Sequence, residues 1–221
     1  MTSESDSLVL RTTTQILNLG IDGMGPLKSA EEVAAEYLEL TGGDVEEAIR
    51  RSVRMHVRYS TTTGAATGLG GIITLPVTLT AGLAGSYVIN TRMVATVAHL
   101  RGYDVHSEEV RTIILASLLG AGGAAALQKA GIEIGNKAAL AAVRRVPGRV
   151  LIEINKKVGF RLVTKAGEKG VVNMTKLVPL VGAPIGATAE NITSKSVSRY
   201  ALKNFPPTEP GAAVTSQPAD A

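Results

Sequence analysis

His99, Asp104 and His106, with Glu108 and Glu109 just beyond them, are the side chains of this 221-residue chain whose types could hold a zinc-class ion. Their spacing speaks against it. His99 falls in a helical pattern and the others in a loop, with no His-Glu-x-x-His repeat, so solvated or capping roles are expected and no metal is assigned. Gly68-Leu69-Gly70-Gly71 lacks the Lys-Ser/Thr ending that a phosphate loop needs, which leaves close backbone packing as its use. There is no Gly-x-Ser-x-Gly for a strained nucleophile and no cysteine for a thiolate or a disulfide. No catalytic residue and no cofactor follow from these patterns. Arg92 stands out for another reason: it interrupts a long apolar helix, where an unpaired charge is costly. Glu190, the only acid between Gly170 and the tail, is its expected partner in a buried ion pair. His56, among Arg50, Arg51, Arg54 and Arg58, is expected on a helix surface.

The elements that must position these groups read as helices throughout. Tyr59 to Thr91 runs thirty-three residues without a charge, longer than the roughly 18 that ordinarily suggest a membrane span. Six glycines between Gly64 and Gly85 and the mid-run Pro76 break it, because proline removes a backbone donor and clashes inside a helix. Two helices meeting at Leu75-Pro76 in an uncharged hairpin are expected, the second ending near Leu100. Leu177-Val178-Pro179-Leu180 repeats the device, so Pro76 and Pro179 are paired hinge candidates.

Ser29 with Glu32 forms a capping box, Asp44 and Ser107 are N-caps, and a break is expected within Gly120 to Ala126. Residues 1–6 are expected to be disordered, with a first helix from Leu8 to Leu19. Arg149 to Lys169 fits either a hairpin, through Val150, Ile152 and Ile154, or a basic amphipathic helix with Leu151, Ile154, Val158 and Leu162 on one stripe. The helix is favoured because no Asn-Gly or Asp-Gly turn is present. The whole is an all-α, glycine- and alanine-rich bundle. An N-terminal segment spans 1–27, a helical domain 28–205, and a Pro-, Gly- and Ser-rich tail over 206–221 is expected to be disordered.

Charge is distributed unevenly. Residues 1–49 hold ten acids and two bases, whereas 137–176 hold two acids and ten bases. Such a chain can pair its own ends or offer a basic face to phosphates. Aromatics are only 3% of residues, which disfavours stacking on nucleic acid, so nucleic acid is not the expected partner. An anionic membrane is. Arg144, Arg145, Arg149, Lys156, Lys157 and Arg161 would attract the lipid, and Leu69, Ile72, Ile73, Leu75, Leu79 and Leu83 would meet its apolar part. The acidic start lacks the basic region of a signal peptide, so the expected site is the cytoplasmic face of the cell membrane, peripheral or inserted. A second copy of the chain or a membrane protein is a further partner. A soluble carrier of a lipid-like ligand and an uncharacterised enzyme are the alternatives.

Several motifs occur together in order. They are Gly43-Asp44-Val45-Glu46-Glu47-Ala48-Ile49-Arg50-Arg51, Thr67-Gly68-Leu69-Gly70-Gly71 with Thr74-Leu75-Pro76, and Arg92-Met93-Val94-Ala95. Ala98-His99-Leu100-Arg101-Gly102-Tyr103-Asp104, Ile152-Glu153-Ile154-Asn155-Lys156-Lys157-Val158-Gly159-Phe160-Arg161 and Lys176-Leu177-Val178-Pro179 follow. On these motifs residues 28–204 resemble the bacterial EcsC family. The resemblance implies a mainly helical protein of a family named for a gene beside a bacterial ABC exporter. It implies no settled activity and no catalytic residue.

Overall fold

Ser29 Oγ accepts from the Glu32 amide at 3.0 Å while a Glu32 carboxylate oxygen accepts from the Ser29 amide at 2.7 Å, closing the capping box. It starts one of a series of helices in a computed structural model that describes residues 2–63, 81–129, 131–132, 146–160 and 182–207. These are α1 (Thr2–Ile21), α2 (Ala30–Leu40), α3 (Val45–Thr63), α4 (Ala81–Leu100), α5 (Glu108–Leu118) and α6 (Ala121–Lys129). A helical run over 148–160, here α7, and α8 (Gly182–Asn204) complete the set. Among the described residues the one β feature is an isolated bridge between Met24 and Leu27, which closes the glycine turn after α1. The fold is all-α.

Local chemistry sets the helix ends. Asp44 Oδ1 accepts from the Glu47 amide at 2.9 Å, and Ser107 accepts from the Val110 amide at the start of α5. Gly120, at φ +59°, separates α5 from α6 in the small-residue run where a break was expected. Such a φ is inexpensive only for glycine. α1 differs from expectation: it begins at Thr2, so residues 2–6 are helical rather than disordered. Glu4 and Asp6 lie in its opening turns, where negative charge favours a helix start.

α4 is the central element, packed against α1, α2, α3, α5 and α8. Every residue from Val88 to Ala98 is buried. Small side chains allow this enclosure, and Gly20 shows how tightly: a Cβ there would stand 2.5 Å from two atoms of the Thr91 side chain. α1 adds Ile16, Leu17 and Ile21 to the same core. The end of α8 is pinned to the end of α4. Buried Arg101 donates to the Leu202 carbonyl at 3.0 Å and to the Phe205 carbonyl, satisfying acceptors that a helix C-terminus leaves open. Its Nε and Nη2 donate to Glu46 at 3.1–3.2 Å, and Tyr103 donates to the Pro206 carbonyl at 2.9 Å.

Residues 64–80, with Leu69, Ile72, Ile73, Leu75, Pro76 and Leu79, lie outside the described residues, as do Arg144, Arg145, Arg161 and Pro179. Leu83 and Glu190 fall on α4 and α8 at positions whose side chains are likewise outside the description. The part of the uncharged stretch from Gly85 to Thr91 is enclosed by protein, with only Tyr87 partly exposed. Among the described residues no helix is long and apolar enough to cross a membrane.

Candidate membrane-docking surface

α7 decides for the helix over 148–160, while Leu162 and the rest of the stretch to Lys169 lie outside the described residues. At 100° per residue Leu151, Ile154 and Val158 fall on one side, and all three are buried. The helix seats closely on α1, since a Cβ on Gly159 would stand 2.5 Å from Thr13 Oγ1 and 3.2 Å from Val9 Cγ1. With that side anchored, Arg149, Ile152, Glu153, Lys156, Lys157 and Phe160 share the outward face. Ile152 is 55% and Phe160 56% exposed. Two large apolar side chains among three cations and one acid make an amphipathic surface of the kind that lies in a lipid headgroup layer. Of the cations read from sequence, the structure therefore brings Arg149, Lys156 and Lys157 together.

A second cationic surface was not foreseen as a site. Tyr37 of α2 and Arg51, Arg54, Met55, Arg58 and Tyr59 of α3 line an open groove of about 470 Å³. The arginines were legible as lying away from the apolar stripe Val45, Ile49, Val53 and Val57, but nothing in sequence brings Tyr37 across from another helix. Glu47 receives Arg50 Nε at 2.8 Å and Arg51 Nε at 2.7 Å, and these two hydrogen bonds, Arg51's first, hold its carboxyl below the usual range. Glu36 is held by Lys28 at 2.8 Å. Burial, with Glu36 and Tyr59 nearby, raises the Tyr37 phenol's pKa and keeps it a neutral donor.

Behind this groove, His56 is fully buried, not on the helix surface as its arginine neighbours suggested. Ser52, His56 and Ser60 recur every fourth residue and turn together into the bundle, a polar stripe beside the apolar one. Arg92 Nε donates to His56 Nε2 at 3.3 Å and Nη1 donates to the Lys28 carbonyl at 3.3 Å. Arginine has no acceptor, so the proton of neutral His56 sits on Nδ1, which donates to the Ser52 carbonyl at 2.8 Å. Burial first, and Arg92's charge second, push the His56 pKa down to about 3. Burial also lowers that of Arg92, against the nearby Tyr59 phenol. The proposed Arg92 partner, Glu190, lies outside the described side chains; among the described ones Arg92 uses His56 and a backbone carbonyl.

Of the metal candidates, His99 and His106 both approach Glu31, while Asp104 serves the turn. Asp104 Oδ1 accepts from the His106 amide at 2.9 Å and shapes the turn. His99 Nδ1 lies 3.7 Å from Glu31, and His106 lies 3.5 Å from Glu31 and 3.7 Å from Asp22, all on half-exposed side chains. Among the described residues no group of three or more such side chains is arranged to hold a metal ion.

One enclosed helix, a polar interior at the α3–α4 contact and two cationic outer surfaces make up an all-helical protein. The chain belongs to the EcsC protein family, whose model matches residues 9–205. The match starts within α1 and reaches Phe205, so it takes in both cationic surfaces and the Arg101 contacts. Comparison with curated proteins and with solved structures returns no match.

Proposed function

We propose that this protein is an amphitropic, non-catalytic membrane-associating protein that docks on anionic lipid through the outer face of α7. The observation that carries this reading is the exposure of Ile152 and Phe160 on the same face as Arg149, Lys156 and Lys157. Large apolar side chains left half in water beside cations have a use at an interface that takes both. Magnitudes explain why both are needed. Each cation near an anionic surface contributes about 1 kcal/mol, partly offset by Glu153, and each large apolar side chain about 1.5–3 kcal/mol on full burial. Neither set alone gives firm attachment; together they give a reversible one.

In this proposal the uncharged connection between α3 and α4, with Leu69, Ile72, Ile73, Leu75 and Leu79, supplies further apolar contact at the cytoplasmic face of the cell membrane. Gly85 to Thr91 stays in the bundle, since drawing it out would open the core around α4. Vesicle flotation tests the proposal. Binding to vesicles rich in anionic lipid is expected, with little to neutral vesicles, and weakening as salt rises. Absence of flotation on anionic vesicles at low salt would exclude it.

A further inference from the structure

We propose that this protein associates with a second copy of itself, seating the cationic outer face of α8 on the acidic outer face of α2 of the other copy. Ser194, Val197, Ala201 and Phe205 are buried and mark the side of the α8 region that turns into the bundle. At 100° per residue Ile192, Lys195, Arg199, Leu202 and Lys203 gather within about 100° on the opposite side, and all five are exposed. Ile192 is 64% and Leu202 38% exposed. No acid occurs from Asn191 to Pro207. Among the described residues Lys195, Arg199 and Lys203 make no ion pair with any other part of the chain.

The chain itself carries the counterpart. α2 holds Glu31, Glu32, Glu36 and Glu39 and no base, and Leu40 stands 60% exposed beside them. Lys28 takes Glu36 at 2.8 Å, and one Glu32 oxygen accepts from the Ser29 amide without losing its charge. Four acids against Lys28 leave three negative charges, which equals the three cations of the α8 face. The spacing fits as well. Lys195 to Lys203 rises about 12 Å along α8 and Glu32 to Glu39 about 10.5 Å along α2, so the two rows match in length. In an antiparallel pairing Glu39 meets Lys195 and Glu32 meets Lys203, which brings Leu40 to the Ile192 end. An anionic membrane would attract α8 but repel α2, whereas a second copy uses both faces in one contact. Exposed ion pairs are weak one at a time, so this association is reversible and falls as salt rises. The contact joins unlike faces, so a dimer keeps one of each open and can add further copies.

This inference does not rest on docking by α7. Sedimentation velocity of the full chain over a range of concentrations tests it. The mean mass is expected to rise with concentration at low salt and to return to that of the monomer at high salt. Lys195→Glu with Arg199→Glu, and separately Glu36→Lys with Glu39→Lys, should each weaken self-association at least tenfold, with melting followed to show that both variants are folded. Mixing the two variants should restore association, because the reversed α8 of one then faces the reversed α2 of the other. Ile192→Ser, at an exposed position, should weaken association with every charge in place. The proposal is overturned by a monomer at every concentration, by undiminished association of the folded charge variants, or by a mixture no more associated than its parts. Flotation keeps lipid apart: loss of vesicle binding by the α8 variant with no change in mass would give this face to the membrane and also overturn the proposal. Ile152→Ser with Phe160→Ser should leave the mass unchanged, so failure of α7 docking and failure of this contact appear in different measurements.

Discussion

His56 and Arg101 show how much a single residue's role depends on a partner far along the chain. His56 is neutral in the fold with a pKa of about 3, against about 6.5 for an unfolded histidine. As pH falls below 6.5 the unfolded chain takes up a proton that the folded chain refuses, so stability drops by up to about 1.4 kcal/mol per pH unit until pH 3 is approached. Above 6.5 this contribution to the pH dependence vanishes. Chemical denaturation between pH 7.5 and 4.5 should show that slope, and His56→Gln should flatten it by close to one proton. Arg101→Met should destabilise by about 2–3 kcal/mol, because it strands the Leu202 and Phe205 carbonyls and half-exposed Glu46 together. Glu46→Gln should cost clearly less, since the carbonyl contacts survive; equal losses in urea melts would contradict this. Neither role was legible in sequence. Arg92 is 36 residues from His56, and the carbonyls that Arg101 meets lie more than a hundred residues away.

At the level of elements, local signals carried far. The Ser29–Glu32 box, the Asp44 and Ser107 caps and the Gly120 break depend on residues within one turn, and each appears where its sequence placed it. α7 was harder, because Val150, Ile152 and Ile154 alternate as well as they spiral. Packing against α1 decides it, burying Leu151, Ile154 and Val158 on a period that no strand presents. Gly159 is the contact that makes this seat possible. Gly159→Ala would gain up to about 1 kcal/mol of helix propensity but lose about 1–3 kcal/mol to overpacking against Thr13 and Val9. Net destabilisation is expected. Thr13 Oγ1 is fixed by donating to the Val9 carbonyl at 2.7 Å and so cannot easily step aside. Thr13→Ala should therefore offset part of the Gly159→Ala loss in a double-mutant cycle, and strictly additive losses would argue against the close contact.

Across the whole molecule, the uncharged stretch that suggests lipid is divided. Its later part belongs to the protein interior, where α4 is covered on all sides by α1, α2, α3, α5 and α8, while residues 64–80 are outside the described structure. Hydropathy reports only that a segment avoids water, so it could not separate these outcomes. Charge asymmetry was the better guide to the surface: the basic region of the sequence supplies α7, and its outward face keeps both cations and exposed apolar groups. What it could not supply was the α2–α3 groove, whose residues come from two helices of the chain's first sixty residues.

In the proposed function the outer face of α7 carries membrane attachment. The direct measurement is flotation on anionic vesicles of the unaltered protein beside Ile152→Ser with Phe160→Ser, whose side chains are half exposed, with the melting temperature of the variant followed to show that it is folded. The prediction is retention of the unaltered protein on the vesicles and at least a tenfold loss of binding in the double variant, with about 2–4 kcal/mol of partial apolar insertion removed. Equal flotation of the two proteins would contradict the claim and move attachment away from α7.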